Sequence, residues 1–136
     1  MRNKSKLLLL FVFIISAGGC IRYTYSLVDA KPVFRAEGRG TIAVASQDQR
    51  SYVVSGDYKP QAVGVIRGAF GNPLSMTTDS GRPLADEMGD VIVDALQKNG
   101  FRAIAVKVTP GEPTGQVIKK LADTGAEKLV HFQIKQ

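Results

Sequence analysis

The sequence predicts an α/β protein, a two-layer sandwich in which a small mixed sheet of about four strands carries two helices on one face. Short runs rich in β-branched residues alternate with two segments whose apolar residues recur at helical spacing. Their order, strand, strand, helix, strand, helix, strand, implies two right-handed crossover connections. The 136 residues, 44% of them apolar and 22% charged, are enough for one globular core.

The first two strands are predicted at 41–45 and 62–66, with a polar loop between them. Within that loop the apolar triplet 52–54 is either a minor strand or a plug against the sheet. The stretch 67–73 is dense in Gly, Asn and Pro, and it predicts a turn after the second strand.

The strongest helix prediction covers 83–99. Its apolar residues fall on one stripe of a helical surface and are Leu84, Met88, Val91, Ile92, Ala95 and Leu96. Pro83 suits a first turn, and Gly100 suits the left-handed residue that ends a helix. A second, shorter helix is predicted at about 114–124, where Gly125 ends it.

Two further strands are predicted around these helices, at 104–108 and 129–134. In the last strand Val130 and Phe132 share one face, and His131, opposite in phase, is expected on the side away from the helices. Because an uncovered apolar edge strand favours aggregation, we expect this strand to be central in the sheet, or the chain to be shorter than its relatives.

The first twenty residues have the composition of an export signal. Three basic residues precede a nine-residue apolar stretch at 7–15, and small residues follow it. A bilayer-spanning helix needs about 20 apolar residues, so a cleaved signal is favoured over a transmembrane anchor. Ala17-Gly18-Gly19-Cys20 resembles the lipobox of bacterial lipoproteins, in which the cysteine becomes the mature N-terminus. We therefore expect 1–19 to be a lipoprotein signal peptide.

Cys20 is the single cysteine of the chain, and we expect its thiol to carry a thioether-linked diacylglycerol. Each buried methylene contributes about 0.8 kcal/mol, so one acyl chain holds a protein reversibly, whereas two or three hold it stably. The lipobox resemblance implies three chains, palmitate among them. Ile21, rather than Asp, follows the cysteine, and by the sorting rule of enteric bacteria this favours the outer membrane over the inner.

The formal charge of +6 suggests nucleic-acid binding at first sight. Removal of 1–19 takes away Arg2, Lys4 and Lys6, which lowers the charge to +3. The remaining basic residues are scattered, and neither a basic stripe nor a nucleic-acid-binding motif is present. We therefore expect no nucleic-acid partner.

Residues 20–39 are predicted to link the lipidated N-terminus to a single domain at 40–136. In this tether Tyr23 and Tyr25 alternate with polar residues, as in a short strand. The two tyrosines lie either at the membrane interface, where amphipathic rings are favoured, or on the domain as an extra edge strand.

Asp48, Arg50 and Arg67 are the candidate contact residues for a ligand or partner. Arg50 follows the first predicted strand and Arg67 ends the second, so adjacent pairing would bring both guanidinium groups to one rim. Asp48 would then hold one of them through a bidentate ion pair. Such a group either stabilises the loop as a salt bridge or binds an anionic ligand or an acidic patch of a partner.

The sequence predicts no catalytic, metal or cofactor site. One histidine and one cysteine are too few for most metal sites. The glycines at 64, 68 and 71 lack the spacing and the lysine of a phosphate loop. Asp86 and Glu87 are explained by the positive end of the helix dipole. We therefore expect a non-enzymatic protein.

Four segments carry a family resemblance: 48–50, 65–73, 81–96 and 100–101. With them the chain resembles a family of uncharacterised Gram-negative bacterial lipoproteins and is loosely similar to the YajG-type outer-membrane lipoproteins, over about residues 40 to 134. The resemblance implies a location and a fold, but no reaction. Our first hypothesis is a non-enzymatic, lipid-anchored, periplasm-facing domain that binds another envelope component or supports an envelope complex. The alternative is a periplasmic binder of an anionic small molecule or glycan through a rim formed by Arg50 and Arg67.

Overall fold

The computed structural model describes residues 23–28, 30–34 and 37–136. Within these residues the chain forms two three-stranded sheets and three helices, so the predicted α/β class is confirmed. The elements in chain order are β1 (Tyr23–Tyr25), β2 (Thr41–Asp48), α1 (Ser51–Val54), β3 (Ala62–Arg67), β4 (Pro73–Thr78), α2 (Leu84–Lys98), β5 (Arg102–Val106), α3 (Thr114–Ala122) and β6 (Lys128–Ile134).

One sheet, here called the parallel sheet, has the strand order β5-β2-β6. Every residue of its central strand from Ile42 to Asp48 is buried. A central parallel strand is covered on both faces, and it therefore has a continuous apolar run instead of an alternating one. This explains the sequence Ile42-Ala43-Val44-Ala45, around which two buried apolar clusters form among the described residues.

The two long helices lie on opposite faces of the parallel sheet, whereas the sequence predicted both on one face. Ile42 and Val44 pack with α2, while Ala43 and Ala45 pack with α3. The direction of the crossovers is the reason. The chain steps from β2 to β5 on one side and then returns across β2 to β6, and right-handed crossovers in opposite directions place their helices on opposite faces. This part of the protein is therefore a three-layer α/β/α sandwich.

The second sheet, here called the mixed sheet, has the order β1-β4-β3, with β1 parallel and β3 antiparallel to β4. The predicted strands at 41–45 and 62–66 thus belong to two different sheets. The sequence analysis missed β4, because Pro73 opens it and its alternation of apolar and polar residues is short. Proline is tolerated at the first residue of a strand, where a backbone donor is not needed.

For three short segments, the structure decides between alternatives that the sequence left open. Residues 23–25 dock as an edge strand, with Tyr23 opposite Met76. The triplet 52–54 lies in the one-turn helix α1, where Val53 is buried, and is not a strand. The last strand, β6, is at an edge of the parallel sheet and is not central.

Both predicted helices are present, with small changes at their ends. Helix α2 begins one residue after Pro83 and is followed by Gly100, whose φ of +88° favours glycine. Gly89 faces β2 so closely that a Cβ there would lie 3.2 Å from the Cβ of Ser46. Among the described residues, no helix has both the length and the apolar character needed to cross a membrane.

Candidate functional site

The carboxyl ends of the three parallel strands meet at one edge of their sheet, here called the carboxyl edge. Asp48 is the last residue of β2 and residues 49–50 follow it, residues 107–113 follow β5, and residues 135–136 follow β6. In open α/β sheets this is the edge at which ligands bind. Two of the three candidate contact residues, Asp48 and Arg50, lie here.

Asp48 and Arg50 form the bidentate ion pair that the sequence predicted. Arg50 Nε donates to Asp48 Oδ1 at 2.9 Å, and Arg50 Nη2 donates to Asp48 Oδ2 at 2.5 Å. The backbone N–H of Arg50 also donates to Oδ1, at 3.1 Å. The side chains of Arg50 and Asp48 are only 5% and 1% exposed. Hydrogen bonding to the Asp48 carboxylate is the main cause that raises the pKa of Arg50 above its ordinary value, against the opposing effect of burial.

The other donors of Arg50 are also bonded inside the protein. Nη1 donates to the hydroxyl of Tyr52 at 3.0 Å and to the carbonyl of Val63 at 3.2 Å, and Nη2 donates to the carbonyl of Ala62 at 2.6 Å. A guanidinium group has five N–H donors, and these bonds together with the ion pair use all of them. Arg50 therefore joins β2, α1 and β3, and it has no free donor for an anionic ligand.

Arg67 lies at the other end of β3, opposite Pro73, with its side chain exposed. It is five residues beyond Ala62, which corresponds to about 16 Å along a strand. The predicted rim of Arg50 and Arg67 is therefore not formed. The physical reason is that β3 belongs to the mixed sheet and reaches the carboxyl edge only through its first residues, whose carbonyls accept from Arg50.

Gln47 connects three parts of the carboxyl edge through four hydrogen bonds, although its side chain is completely buried. Its Nε2 donates to the carbonyl oxygens of Thr109 at 3.1 Å and Glu112 at 2.8 Å. Its Oε1 accepts from Gln49 Nε2 and from His131 Nε2, both at 3.0 Å. The amide of Gln47 thus ties β2 to β6 and to the loop that follows β5.

His131 pairs in register with Ala45 and therefore lies on the face of the parallel sheet that α3 covers. The sequence correctly predicted its phase relative to Val130, but its expected position away from the helices is wrong, because helices cover both faces. The two carbonyls that bind Gln47 Nε2 direct the Gln47 oxygen toward the imidazole, so His131 donates through Nε2. Burial, and then the charge of Lys135, lower the pKa of His131.

Glu112 holds the loop between β5 and α3. Its Oε1 forms an ion pair with Lys120 Nζ at 2.7 Å, and its Oε2 accepts from the backbone N–H of Thr109 at 3.1 Å. The Thr109 hydroxyl donates to the same oxygen at 3.3 Å. The bond from Lys120, followed by that from the Thr109 N–H, lowers the pKa of Glu112 below its ordinary value. The loop therefore depends on an ionised Glu112.

A cavity of about 280 Å³ opens beside the ion pair, between the ends of β2 and β5 and the first turn of α2. Ligand pockets usually measure about 300–1,000 Å³, so this cavity suits only a small molecule. Its charged lining consists of Asp48, Asp86 and Lys107. Because Arg50 neutralises Asp48, the remaining charges of the lining are one carboxylate, Asp86, and one ammonium group, Lys107. This lining has no excess of positive charge, which is a second reason against the anionic ligand predicted from the arginines.

The sequence analysis missed the contribution of Gln47, Glu112 and His131 to this edge. One signal was present: the polar residues Ser46-Gln47-Asp48 directly follow the predicted strand at 41–45, and in the structure they continue it. Their partners lie on distant segments that no local pattern connects to them.

Cys20, the expected lipid-attachment residue, lies outside the described residues. In the part of the chain that the structure describes, no group of three or more His, Cys, Asp or Glu side chains is arranged to hold a metal ion. Comparison of the chain with protein-family models, with curated proteins and with solved structures finds no match.

Proposed function

We propose that this protein is a lipid-anchored lipoprotein of the cell envelope that acts as a non-enzymatic binding or accessory protein of an envelope complex. The observation that carries the proposal is the N-terminal sequence. The only cysteine of the chain, Cys20, follows the small residues Ala17-Gly18-Gly19, which themselves follow a basic segment and the apolar stretch 7–15.

The proposed anchor consists of acyl chains on Cys20 inserted into the outer membrane, with the folded domain facing the periplasm. Because each buried methylene contributes about 0.8 kcal/mol, two or three chains hold a protein on a bilayer stably. Ile21 after the cysteine supports the outer membrane as the destination.

The hydrogen bonds at the carboxyl edge support a binding or accessory role over catalysis. A general acid or base must reach the proton that it transfers. Five titratable side chains there are held by contacts within the protein: Arg50 pairs with Asp48, Glu112 pairs with Lys120, and His131 is bonded to the side chain of Gln47. These contacts hold loops and strands in place, which is the property that a binding scaffold requires.

The anchor is tested by comparing wild-type protein with a Cys20→Ser variant in cells fed radiolabelled palmitate. We expect the variant to lose the label and to move from the membrane fraction to the soluble fraction, because serine cannot form the thioether. A Ser16→Ala variant, which changes a neighbouring residue and keeps the thiol, serves as the matched control and should behave as wild type. If Cys20→Ser remains labelled and membrane-bound, the lipoprotein assignment is wrong.

Separation of the two membranes by density tests the destination in the same strains. Wild-type protein should sediment with the outer membrane, and an Ile21→Asp variant should shift toward the inner membrane while keeping its palmitate label. An equal distribution of the two proteins would contradict the sorting argument without affecting the anchor.

The accessory role is tested by chemical cross-linking in intact envelopes, followed by purification in detergent. A single envelope protein that cross-links to acylated wild type in a constant ratio, and not to the Cys20→Ser variant, is the expected result. The opposing result is the absence of any such partner together with a rise in melting temperature caused by a small anionic molecule.

A further inference from the structure

The turn between β3 and β4, residues 68–72 and here called the hairpin tip, presents an unusual aromatic side chain. Phe70 is fully exposed to solvent, with a relative accessible surface of 101%, and its backbone has φ +64° and ψ 17°. This left-handed conformation is unfavourable for a residue with a Cβ. Phe70 thus combines an unfavourable backbone with a large apolar side chain that packs on none of the described residues.

Strand pairing shows which end of the mixed sheet faces the N-terminus. Strand β1 runs parallel to β4, with Tyr23 opposite Met76, so the chain enters β1 from the end at which β4 begins. Pro73, the first residue of β4, directly follows the hairpin tip. The N-terminal segment therefore joins the mixed sheet at the same end as the tip.

The length of chain before β1 limits how far Cys20 can lie from this end. Three residues extend at most about 11 Å, so Cys20 lies within that distance of Tyr23. Pro73 is three residues before Met76, which corresponds to about 10 Å along a strand. The attachment point of a lipid on Cys20 is therefore at most about 25 Å from Pro73, whatever the conformation of the intervening residues.

The composition of the mixed sheet also suits a lipid surface. Residues 62–78 contain no Asp or Glu, and Arg67, exposed beside the hairpin tip, is their one charged side chain. Tyr23 and Tyr25 are 38% and 47% exposed on β1. Aromatic rings with an amphipathic character are favoured at membrane interfaces, and a long basic side chain can extend toward the headgroups.

We propose that the hairpin tip is a second membrane contact, in which Phe70 inserts into the interface of the bilayer that holds the acylated Cys20. This inference rests on the proposed lipid anchor. It adds an orientation: the end of the mixed sheet that carries the tip lies against the lipid.

The test uses the absence of tryptophan from the natural chain. A Phe70→Trp variant of the full, acylated protein is purified in detergent and reconstituted into vesicles of phosphatidylethanolamine and phosphatidylglycerol, with and without brominated acyl chains. The matched control is Ile118→Trp, which replaces an apolar residue that is 43% exposed on α3 and belongs to the parallel sheet's helical layer. Both substitutions are at exposed positions, and urea unfolding checks that each variant keeps wild-type stability.

We expect the brominated lipids to remove more than half of the fluorescence of Phe70→Trp and to leave that of Ile118→Trp nearly unchanged. Equal quenching of the two variants, or an unquenched Phe70→Trp variant in vesicles that hold the acylated protein, overturns the membrane contact and leaves the anchor intact. Mass spectrometry of the same preparations measures the acyl chains on Cys20. A protein that is neither acylated nor vesicle-bound overturns both proposals.

Discussion

Arg50 shows how a charged side chain is accommodated in the interior of a small protein. Its side chain is 5% exposed, but one carboxylate, one phenol and two backbone carbonyls bind its five donors. A buried ion pair of this kind is not in itself a large source of stability, but removal of one partner leaves the other charge buried without compensation. The pair is therefore more important for positioning β3 against β2 than for binding a ligand.

Substitution of Asp48 by asparagine is expected to destabilise the protein strongly. Asp48→Asn keeps the shape of the side chain and removes its charge, so the free energy of unfolding should fall by about 3–5 kcal/mol. Urea unfolding followed by circular dichroism measures the loss. The control is Asp90→Asn, which breaks the ion pair between Asp90 and Arg82. Because these two side chains are 54% and 49% exposed, the free energy of unfolding should fall by at most about 1 kcal/mol. Similar losses in the two variants would contradict the role assigned to Asp48.

Residue spacing decided which contacts of the carboxyl edge were predictable. Asp48 and Arg50 are two residues apart, and the sequence was sufficient to propose their pair. The carbonyl partners of Gln47 are 62 and 65 residues away, and His131 is 84 residues away. Contacts of that separation depend on how the strands are ordered, which no local pattern contains.

At the scale of elements, the two sheets differ in how much apolar surface they bury. The parallel sheet has a helix on each face, and both buried clusters of the described residues centre on β2. In the strands of the mixed sheet, only Ala62 and Thr78 are buried among the described residues. The free energy of local unfolding is smallest where few buried apolar contacts are lost, so the mixed sheet should open more easily than the parallel sheet.

Amide hydrogen exchange is therefore expected to be slowest in β2 and clearly faster in β3 and β4. Strand β2 is hydrogen-bonded on both sides and opens only when the main core opens, whereas the mixed sheet can separate from it locally. Exchange measured by mass spectrometry on native protein, with peptides covering 41–48 and 62–78, reports the difference. Equal protection of both peptides would mean that the two sheets unfold as one cooperative unit.

At the scale of the whole molecule, polar contacts connect elements that the apolar core alone does not hold together. Gln47 joins the two crossover units of the parallel sheet, and Arg50 joins the parallel sheet to the mixed sheet. One of these contacts includes the only histidine of the chain, His131. The stability of the molecule is therefore coupled to pH near neutrality.

The free energy of unfolding is expected to fall as the pH is lowered from about 8 to about 5. The pKa of His131 is lowered in the folded state from its ordinary value of 6.5, so the unfolded chain binds more protons in this range. The contribution of His131 to stability is complete above the pKa that it has in the unfolded chain. This contribution is lost as the pH falls through the pKa that His131 has in the folded protein. Glu112 acts in a more acidic range, because its pKa is lowered from 4.5. Urea unfolding at several pH values measures how the free energy of unfolding changes with pH. The His131→Gln variant should show a weaker dependence on pH. An unchanged dependence in that variant would mean that another group causes it.

In the described part of the chain, local patterns were sufficient for the α/β class, for both long helices and for four of the six strands. The reason is that a helical stripe, a β-branched run or a terminating glycine such as Gly100 acts over a few residues. They also identify Cys20 as the expected anchor, since that chemistry depends on adjacent residues. Tertiary structure alone decided that the strands form two sheets, that the helices cover opposite faces and that Arg67 lies away from Arg50. These features follow from strand order and crossover direction, which are set by contacts between residues far apart in the chain.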